Sequence, residues 1–242
     1  MQAIVVPAVV TLAALAASIL GAIAGFGGAA VLLPVLVWAF GVRDAIPILT
    51  IAQLLGNGSR AWFNRRELVL PVVGWFALGA VPMAVAGGAL FATAPAPALR
   101  RVLGVFLLLT VAYRHTRFGR KARVKLRAFA LLGGVFGFLS ALLGSVGPLM
   151  APFFLAYGLV KAAYIGTEAA ATTTMHIVKI AVYGGFNLLS AGTVLTALAI
   201  GAVQIVGSYA GKRVLDHVPE HVFPILIEGV LLAGGVQFLV FS

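Results

Sequence analysis

The sequence predicts an all-α, polytopic membrane protein made of two inverted repeats, and three observations support this prediction. Hydrophobic residues make up 62% of the 242 residues and charged residues only 10%, whereas soluble domains contain about 25% charged residues. Apolar runs of helix length follow one another along the chain. A glycine cluster breaks the apolar sequence at corresponding places in the two halves, at residues 25–28 (GFGG) and 144–147 (GSVG). We therefore expect a single membrane domain over residues 1–242, with repeat one in residues 1–118 and repeat two in residues 119–242.

The apolar runs predict five helical segments in each half, in a matching order of lengths. A helix needs about 20 residues to cross a hydrocarbon core of about 30 Å. The second segment of each half has only 13 or 12 residues, and at 1.5 Å per residue it extends about 18 to 20 Å. It can therefore enter the membrane but not cross it. The predicted segments are residues 3–24, 29–41, 44–63, 68–91 and 98–113 in repeat one, and residues 128–143, 148–159, 162–185, 191–211 and 222–241 in repeat two.

The net charge of +11 is concentrated in one basic loop. Seven basic residues and no acidic residue lie between Arg114 and Arg127, which is typical of a cytoplasmic loop under the positive-inside rule. Such a loop also suits contact with the anionic headgroups of membrane lipids. No nucleic-acid recognition motif accompanies the charge, so a nucleic-acid partner is not expected. No basic residue precedes the first apolar run, which argues against a cleaved signal peptide.

Charge placement predicts that the two repeats are inverted. With the basic loop inside, Lys161 and residues 212–213 also fit the cytoplasmic side, so residues 128–159 must enter and leave the membrane from that side. They then form a re-entrant hairpin with the glycine cluster at its tip. By analogy, residues 3–41 form a hairpin from the outer side, so each half has one hairpin plus three transmembrane helices, and the odd number inverts the second repeat. The alternative is that residues 3–24 span the membrane alone, which gives four crossings per half and parallel repeats.

Polar residues form one stripe in a long segment of each half, at spacings of three or four that place them on one helix face. A constant offset of 119 relates the last three residues of the two stripes, so a basic residue occurs at the same place in both copies. The stripes consist of Thr50, Gln53, Asn57 and Arg60 in residues 44–63, and of Glu168, Thr172, His176 and Lys179 in residues 162–185.

The basic residues of the two stripes, Arg60 and Lys179, are candidates for binding an anion. A cation inside a membrane helix costs about 2.5 to 3.5 kcal/mol, which an oxyanion would offset through charge-assisted hydrogen bonds. Helices that begin after Gly28 and Gly147 would point positive dipole ends and free N–H groups at the same depth. The alternative is that Arg60 snorkels to the inner membrane surface, and that the Thr and Asn side chains serve only helix packing.

Three titratable residues within the predicted membrane segments are candidates for proton coupling, namely Glu168, His176 and Glu228. The alternative is that Glu168 pairs with Lys161 near the inner membrane surface and that Glu228 bonds a neighbouring helix. The chain contains no cysteine, which excludes disulfides and thiolate metal sites. We therefore expect no metal and no cofactor.

The GFGG cluster, Pro34, Thr50 and the GNGSRAW sequence at residues 56–62 resemble the TauE/SafE sulfite exporter family. The similarity covers nearly the whole chain and is clearest in residues 20–66, while the second copy reads GSVGP where the first reads GFGGA. The resemblance implies a multi-pass transporter of the bacterial inner membrane for a small anion such as sulfite or an organosulfonate. Together with the stripes, it gives as candidate substrate-binding residues Gly25, Gly27, Gly28, Thr50, Gln53, Asn57, Arg60, Gly144, Ser145, Gly147, Thr172, His176 and Lys179.

The function expected from the sequence is therefore a secondary transporter that works by alternating access, and not an enzyme. A passive anion channel could use the same framework. An intramembrane serine protease is a further alternative, because Ser145 follows a glycine in an apolar break and His176 lies on a later helix. A homodimer is compatible with the sequence.

Overall fold

The computed structural model describes residues 2–25, 28–99, 102 and 124–217, and the secondary structure in these ranges is helical, without strands. The all-α prediction is confirmed. The helices of repeat one are α1 (Gln2–Ala24), α2 (Gly28–Phe63) and α3 (Leu70–Thr93), with a 3-10 turn at Arg65–Glu67 between α2 and α3. The helices of repeat two are α4 (Ala128–Leu143), α5 (Gly147–Ala156), α6 (Lys161–Gly185) and α7 (Ala191–His217).

Helix length and composition agree with a multi-pass membrane protein. Four helical stretches in the described ranges are long and apolar enough to cross a membrane, namely Val5–Ala24, Val31–Phe63, Leu70–Thr93 and Ala191–His217. Most of the predicted segment at residues 98–113, the predicted segment at residues 222–241 and most of the basic loop lie outside the described residues.

The helices break at the glycines that mark the two repeats. Gly25 ends α1 with φ of 80°, and Gly144 ends α4 with φ of 87°. A residue with a Cβ atom rarely adopts these backbone angles, which explains why the chain uses glycine at both turns. The predicted short segments follow, as residues 28–40 of α2 and as α5. Gly41 interrupts α2 with non-helical angles, and Gly158 separates α5 from α6.

The first helix of each half packs against the last described long helix of the other half, α4 against α3 and α1 against α7. A Cβ atom added to Gly133 of α4 would collide with the carbonyl oxygen of Phe76 in α3, and one added to Gly207 of α7 would collide with Ser18 in α1. Small residues allow helix backbones in a membrane protein to approach closely. The two halves are therefore interlocked rather than set side by side.

The later part of α2 and helix α6 run in opposite directions where they meet. Asn57 contacts His176, whereas at Asn64, directly after α2, the contact is with Gly166, whose added Cβ atom would meet the Asn64 side chain. Just beyond α2, the Val69 N–H donates to the Thr167 hydroxyl at 3.0 Å. Because residue numbers rise in one helix as they fall in the other, the two stripe-bearing helices are antiparallel.

Substituting Gly133 by Ala tests the close contact between α3 and α4. We expect Gly133→Ala to lower the stability by about 1 to 3 kcal/mol, because the added methyl group forces two helix backbones apart. Gly134→Ala is the matched control, because its Cβ atom would meet Met83 Cγ at an ordinary 3.5 Å. Thermal unfolding in detergent measures both variants. Equal melting temperatures for the two would contradict this packing.

Candidate functional site

A polar pocket lies between the two halves, where the glycine breaks and the polar stripes come together. Its cavity volume is about 40 Å³, which exceeds the roughly 10 to 15 Å³ that one buried water molecule needs and leaves room for a small anion. We call it the central pocket. Its wall consists of Gly25, Gly28, Ala29, Gln53, Asn57, Arg60, Ser140, Gly144, Ser145, Val146, Gly147, Glu168, Thr172, Met175 and His176.

Asn57 and His176 meet at the centre of this wall. They are separated by 119 residues, and Asn57 Nδ2 lies 2.9 Å from His176 Nε2. The two residues hold equivalent positions in the two polar stripes. The stripes therefore meet at the central pocket.

Hydrogen bonding assigns a direction to the contact between the two residues. The Asn57 carbonyl oxygen accepts a hydrogen bond from Arg60 Nη2, so the Asn57 amide group faces His176 and donates to Nε2. The His176 proton then lies on Nδ1. His176 Nδ1 is buried and has no hydrogen-bond partner among the described residues.

Arg60 binds the end of the broken helix α1. Its Nη1 donates to the carbonyl oxygens of Gly21 at 2.6 Å and Gly25 at 3.0 Å. Free carbonyl groups at a helix C-terminus carry partial negative charge, which a cation stabilises. The side chain is only 7% exposed, so it does not snorkel to the membrane surface.

Lys179 makes the equivalent contacts in repeat two. Its ammonium group donates to Ser140 Oγ and to the Gly144 carbonyl oxygen, both at 3.3 Å. Gly144 and Ser140 stand at the positions of Gly25 and Gly21 in the other repeat. Each half therefore uses its buried cation to hold the C-terminus of its own broken helix.

The two cations differ in their access to the central pocket. Arg60 lines the pocket, whereas Lys179 is fully buried behind Ser140 and Gly144 and does not line it. Thr50 is also outside the wall. Its hydroxyl group donates to the Ile46 carbonyl at 2.8 Å within its own helix. Of the other predicted site residues, Gly27 and Glu228 lie outside the described residues.

Glu168 lines the central pocket from α6 and is 2% exposed. Its Oε2 atom is buried without a hydrogen-bond partner in the described part of the chain. No ion pair with Lys161 or Arg60 is present among the described residues. An acidic group thus faces a pocket that also contains a buried guanidinium group.

Two helix N-termini complete the wall of the pocket. Helix α2 begins at Gly28, and the ten-residue helix α5 begins at Gly147. The first N–H groups of a helix have no partner within it, and its N-terminus carries partial positive charge. The central pocket thus combines an arginine, two helix N-termini and the amide groups of Gln53 and Asn57.

Sequence reasoning missed four residues of the wall. Ser140 carried a usable signal, because it stands at the position of Gly21 in the repeat. The other three, Ala29, Val146 and Met175, are apolar and give no signal in a chain this hydrophobic.

The hypothetical serine protease site is not assembled. Ser145 and His176 both line the central pocket, but His176 Nε2 is bonded to Asn57. No hydrogen bond joins Ser145 to His176 in the described residues. A nucleophile–base pair requires that bond.

Membrane-length helices that enclose a buried polar pocket, with a cation and helix N-termini on its wall, define a membrane transporter for an anion. The chain matches the family described as "Sulfite exporter TauE/SafE" over residues 10–238 and belongs to that family. The resemblance seen in the sequence is thereby confirmed. Comparisons with curated proteins and with solved structures gave no match.

A double-mutant cycle tests the contact between Asn57 and His176. We expect Asn57→Ala and His176→Ala to couple by about 0.5 to 1.5 kcal/mol, since each removes the other's hydrogen-bond partner. Thermal unfolding of the two single variants and the double variant gives the coupling energy. Asn57→Ala combined with Thr193→Val is the control cycle, because Thr193 bonds Ser190 rather than the pocket. Additive effects of Asn57→Ala and His176→Ala would contradict the contact.

Proposed function

We propose that this protein is a secondary transporter that moves a small sulfur oxyanion or organosulfonate across the bacterial inner membrane by alternating access. The observation that carries the proposal is the central pocket itself, where Asn57 and His176 of the two stripes meet and which is lined by Arg60 and two helix N-termini. Membership of the sulfite exporter family supports an anionic substrate.

Arg60 retains hydrogen-bonding capacity for a substrate. A guanidinium group has five N–H donors, and three of them serve Gly21, Gly25 and Asn57. The other two donors have no acceptor among the described residues. Charge-assisted bonds from these donors and from the free N–H groups of α2 and α5 would bind the oxygens of a sulfite or sulfonate group.

Opposite directions of equivalent helices support the inverted arrangement of the repeats. Because α6 runs antiparallel to the later part of α2 and meets it at equivalent residues, a two-fold axis that relates the repeats would lie across these helices rather than along them. Such an axis in the membrane plane would put the pocket near the bilayer midplane, as in transporters built from inverted repeats. Rocking of one half against the other would then open the pocket to either side in turn.

Glu168 couples anion binding to protonation in this proposal. An ionised carboxylate on the wall would repel the substrate in a medium of low dielectric constant, and Arg60 does not form an ion pair with it in the described residues. Tyr164 and His176, four residues before it and eight residues after it, are titratable residues on the same face of α6. Protonation of Glu168 removes the repulsion, so a proton and the anion bind together. His176 and Glu228 stay further candidates from the sequence.

Arg60→Ala tests the substrate site. We expect sulfite uptake into proteoliposomes to fall roughly tenfold to hundredfold, because charge-assisted hydrogen bonds of about 1.5 to 3 kcal/mol are lost. Arg65→Ala is the matched control, since Arg65 is exposed and lies over the Trp62 ring. Thermal unfolding checks that both variants are folded. If a folded Arg60→Ala protein takes up sulfite at the wild-type rate, Arg60 does not bind the substrate.

Glu168→Gln tests proton coupling. In the wild type, the affinity for methanesulfonate should rise as the pH falls, because protonation removes a repelling charge while the charge of this ligand stays constant. Glu168→Gln should bind with an affinity that does not depend on pH. Titration calorimetry between pH 5 and pH 8 measures both proteins, with Glu67→Gln on the exposed 3-10 turn as the control. A pH slope that persists in Glu168→Gln would assign the coupling to another group.

A further inference from the structure

A second, smaller pocket adjoins the central pocket. It lies between α1, α2 and α7. We call it the side pocket. It shares Gly28, Gln53 and Arg60 with the central pocket, so the two pockets lie next to each other. Its wall consists of Ala17, Ser18, Gly21, Gly28, Gln53, Gly56, Arg60, Gln204 and Ser208.

Gln204 is the residue in the side pocket that points to a ligand. Its side chain is 1% exposed, and both its Nε2 and its Oε1 atom are buried without a hydrogen-bond partner among the described residues. Each unpaired buried polar group is costly, and here a donor and an acceptor lie unpaired on one amide group. The sequence gave no signal for this residue, because the other repeat has Val85 at the equivalent position.

Glycines keep the space around Gln204 open. A Cβ atom on Gly56 would collide with Gln204 Oε1, and one on Gly21 would lie 3.0 Å from Arg60 Nη1. Any larger residue at these positions would therefore fill the side pocket or displace its polar groups.

The remaining polar groups define the chemistry of a ligand. Ser18 donates its hydroxyl proton to the Leu15 carbonyl at 2.9 Å, and Ser208 donates to the Gly56 carbonyl at 3.4 Å. Their oxygens can still accept a hydrogen bond. Among the described residues no acidic side chain lines the side pocket, and Arg60 is part of its wall. These groups suit a hydroxyl group, which can donate to the free oxygens and accept from Gln204 Nε2, while the charge of Arg60 disfavours an ammonium group.

We propose that the side pocket binds the oxygen-bearing tail of a short organosulfonate whose sulfonate group lies in the central pocket. Gln204 contacts the tail, and the shared Arg60 lies between the two ends of the molecule. This inference rests on the proposed transport function, and it narrows the cargo from any small oxyanion to a sulfonate with a polar tail. The alternative is that the side pocket holds only water molecules.

Two ligands that differ only in the tail test the inference. Ethanesulfonate and 2-hydroxyethanesulfonate carry the same charge, and one of them has the hydroxyl group that Gln204 would bind. With purified full-length protein in detergent, we expect titration calorimetry to show that the hydroxylated ligand binds about tenfold more tightly. 2-Aminoethanesulfonate should show no such preference over ethanesulfonate.

Variants of the side pocket assign this preference to its wall. Gln204→Leu should reduce the affinity ratio of the two ligands to about one, and Ser208→Ala should reduce it less. Thr193→Val, on the same helix, should retain the wild-type ratio. Ser208→Ala provides the test on its own if Gln204→Leu does not fold.

Each outcome of these titrations decides between the occupants. A wild-type ratio near one, or a ratio that Gln204→Leu and Ser208→Ala both leave intact, would overturn the inference and leave only water in the side pocket. If sulfite binds but the affinities for ethanesulfonate and 2-hydroxyethanesulfonate are equal, the inference is wrong and the proposed function stands. Failure of sulfite and of every sulfonate to bind would instead overturn the proposed function.

Discussion

A buried cation in a membrane protein is costly unless carbonyl groups or an anion surround it. This chain meets that requirement twice, with Arg60 and Lys179 bound to the carbonyl groups that end α1 and α4. The arrangement needs a helix that stops inside the protein, because only a terminus has free carbonyl groups. The helix breaks, the buried charges and the pocket between them are therefore one structural unit that occurs in both halves.

The same unit places opposite helix ends beside each other. Helix α1 stops at Gly25 and α2 starts three residues later. In the same way, α4 stops at Gly144 and α5 starts three residues later. The carbonyl ends are neutralised within the protein, whereas the N–H ends of α2 and α5 face the central pocket. The net result is a cavity whose fixed dipoles favour negative charge.

Much of this architecture was predictable from the sequence, because glycine clusters and polar stripes are rare in so apolar a chain. The break positions, the short segments after them and most of the residues of the pocket wall follow from those patterns. A repeat pattern does not reveal differences between its copies, so it did not show that Arg60 reaches the pocket while Lys179 lies behind its wall. Gln204 was not predicted because it belongs to neither stripe. Only the packing of α7 against α2 brings it to the side pocket.

The contact between Asn57 and His176 has an evolutionary consequence. Two identical subunits related by a two-fold axis must present the same residue to each other at that axis. A chain that contains both halves is free of this constraint, so one position can specialise as a donor and the other as an acceptor. The basic residues of the two stripes likewise differ, as arginine and lysine. A single chain with two similar halves can thus carry an asymmetric binding site.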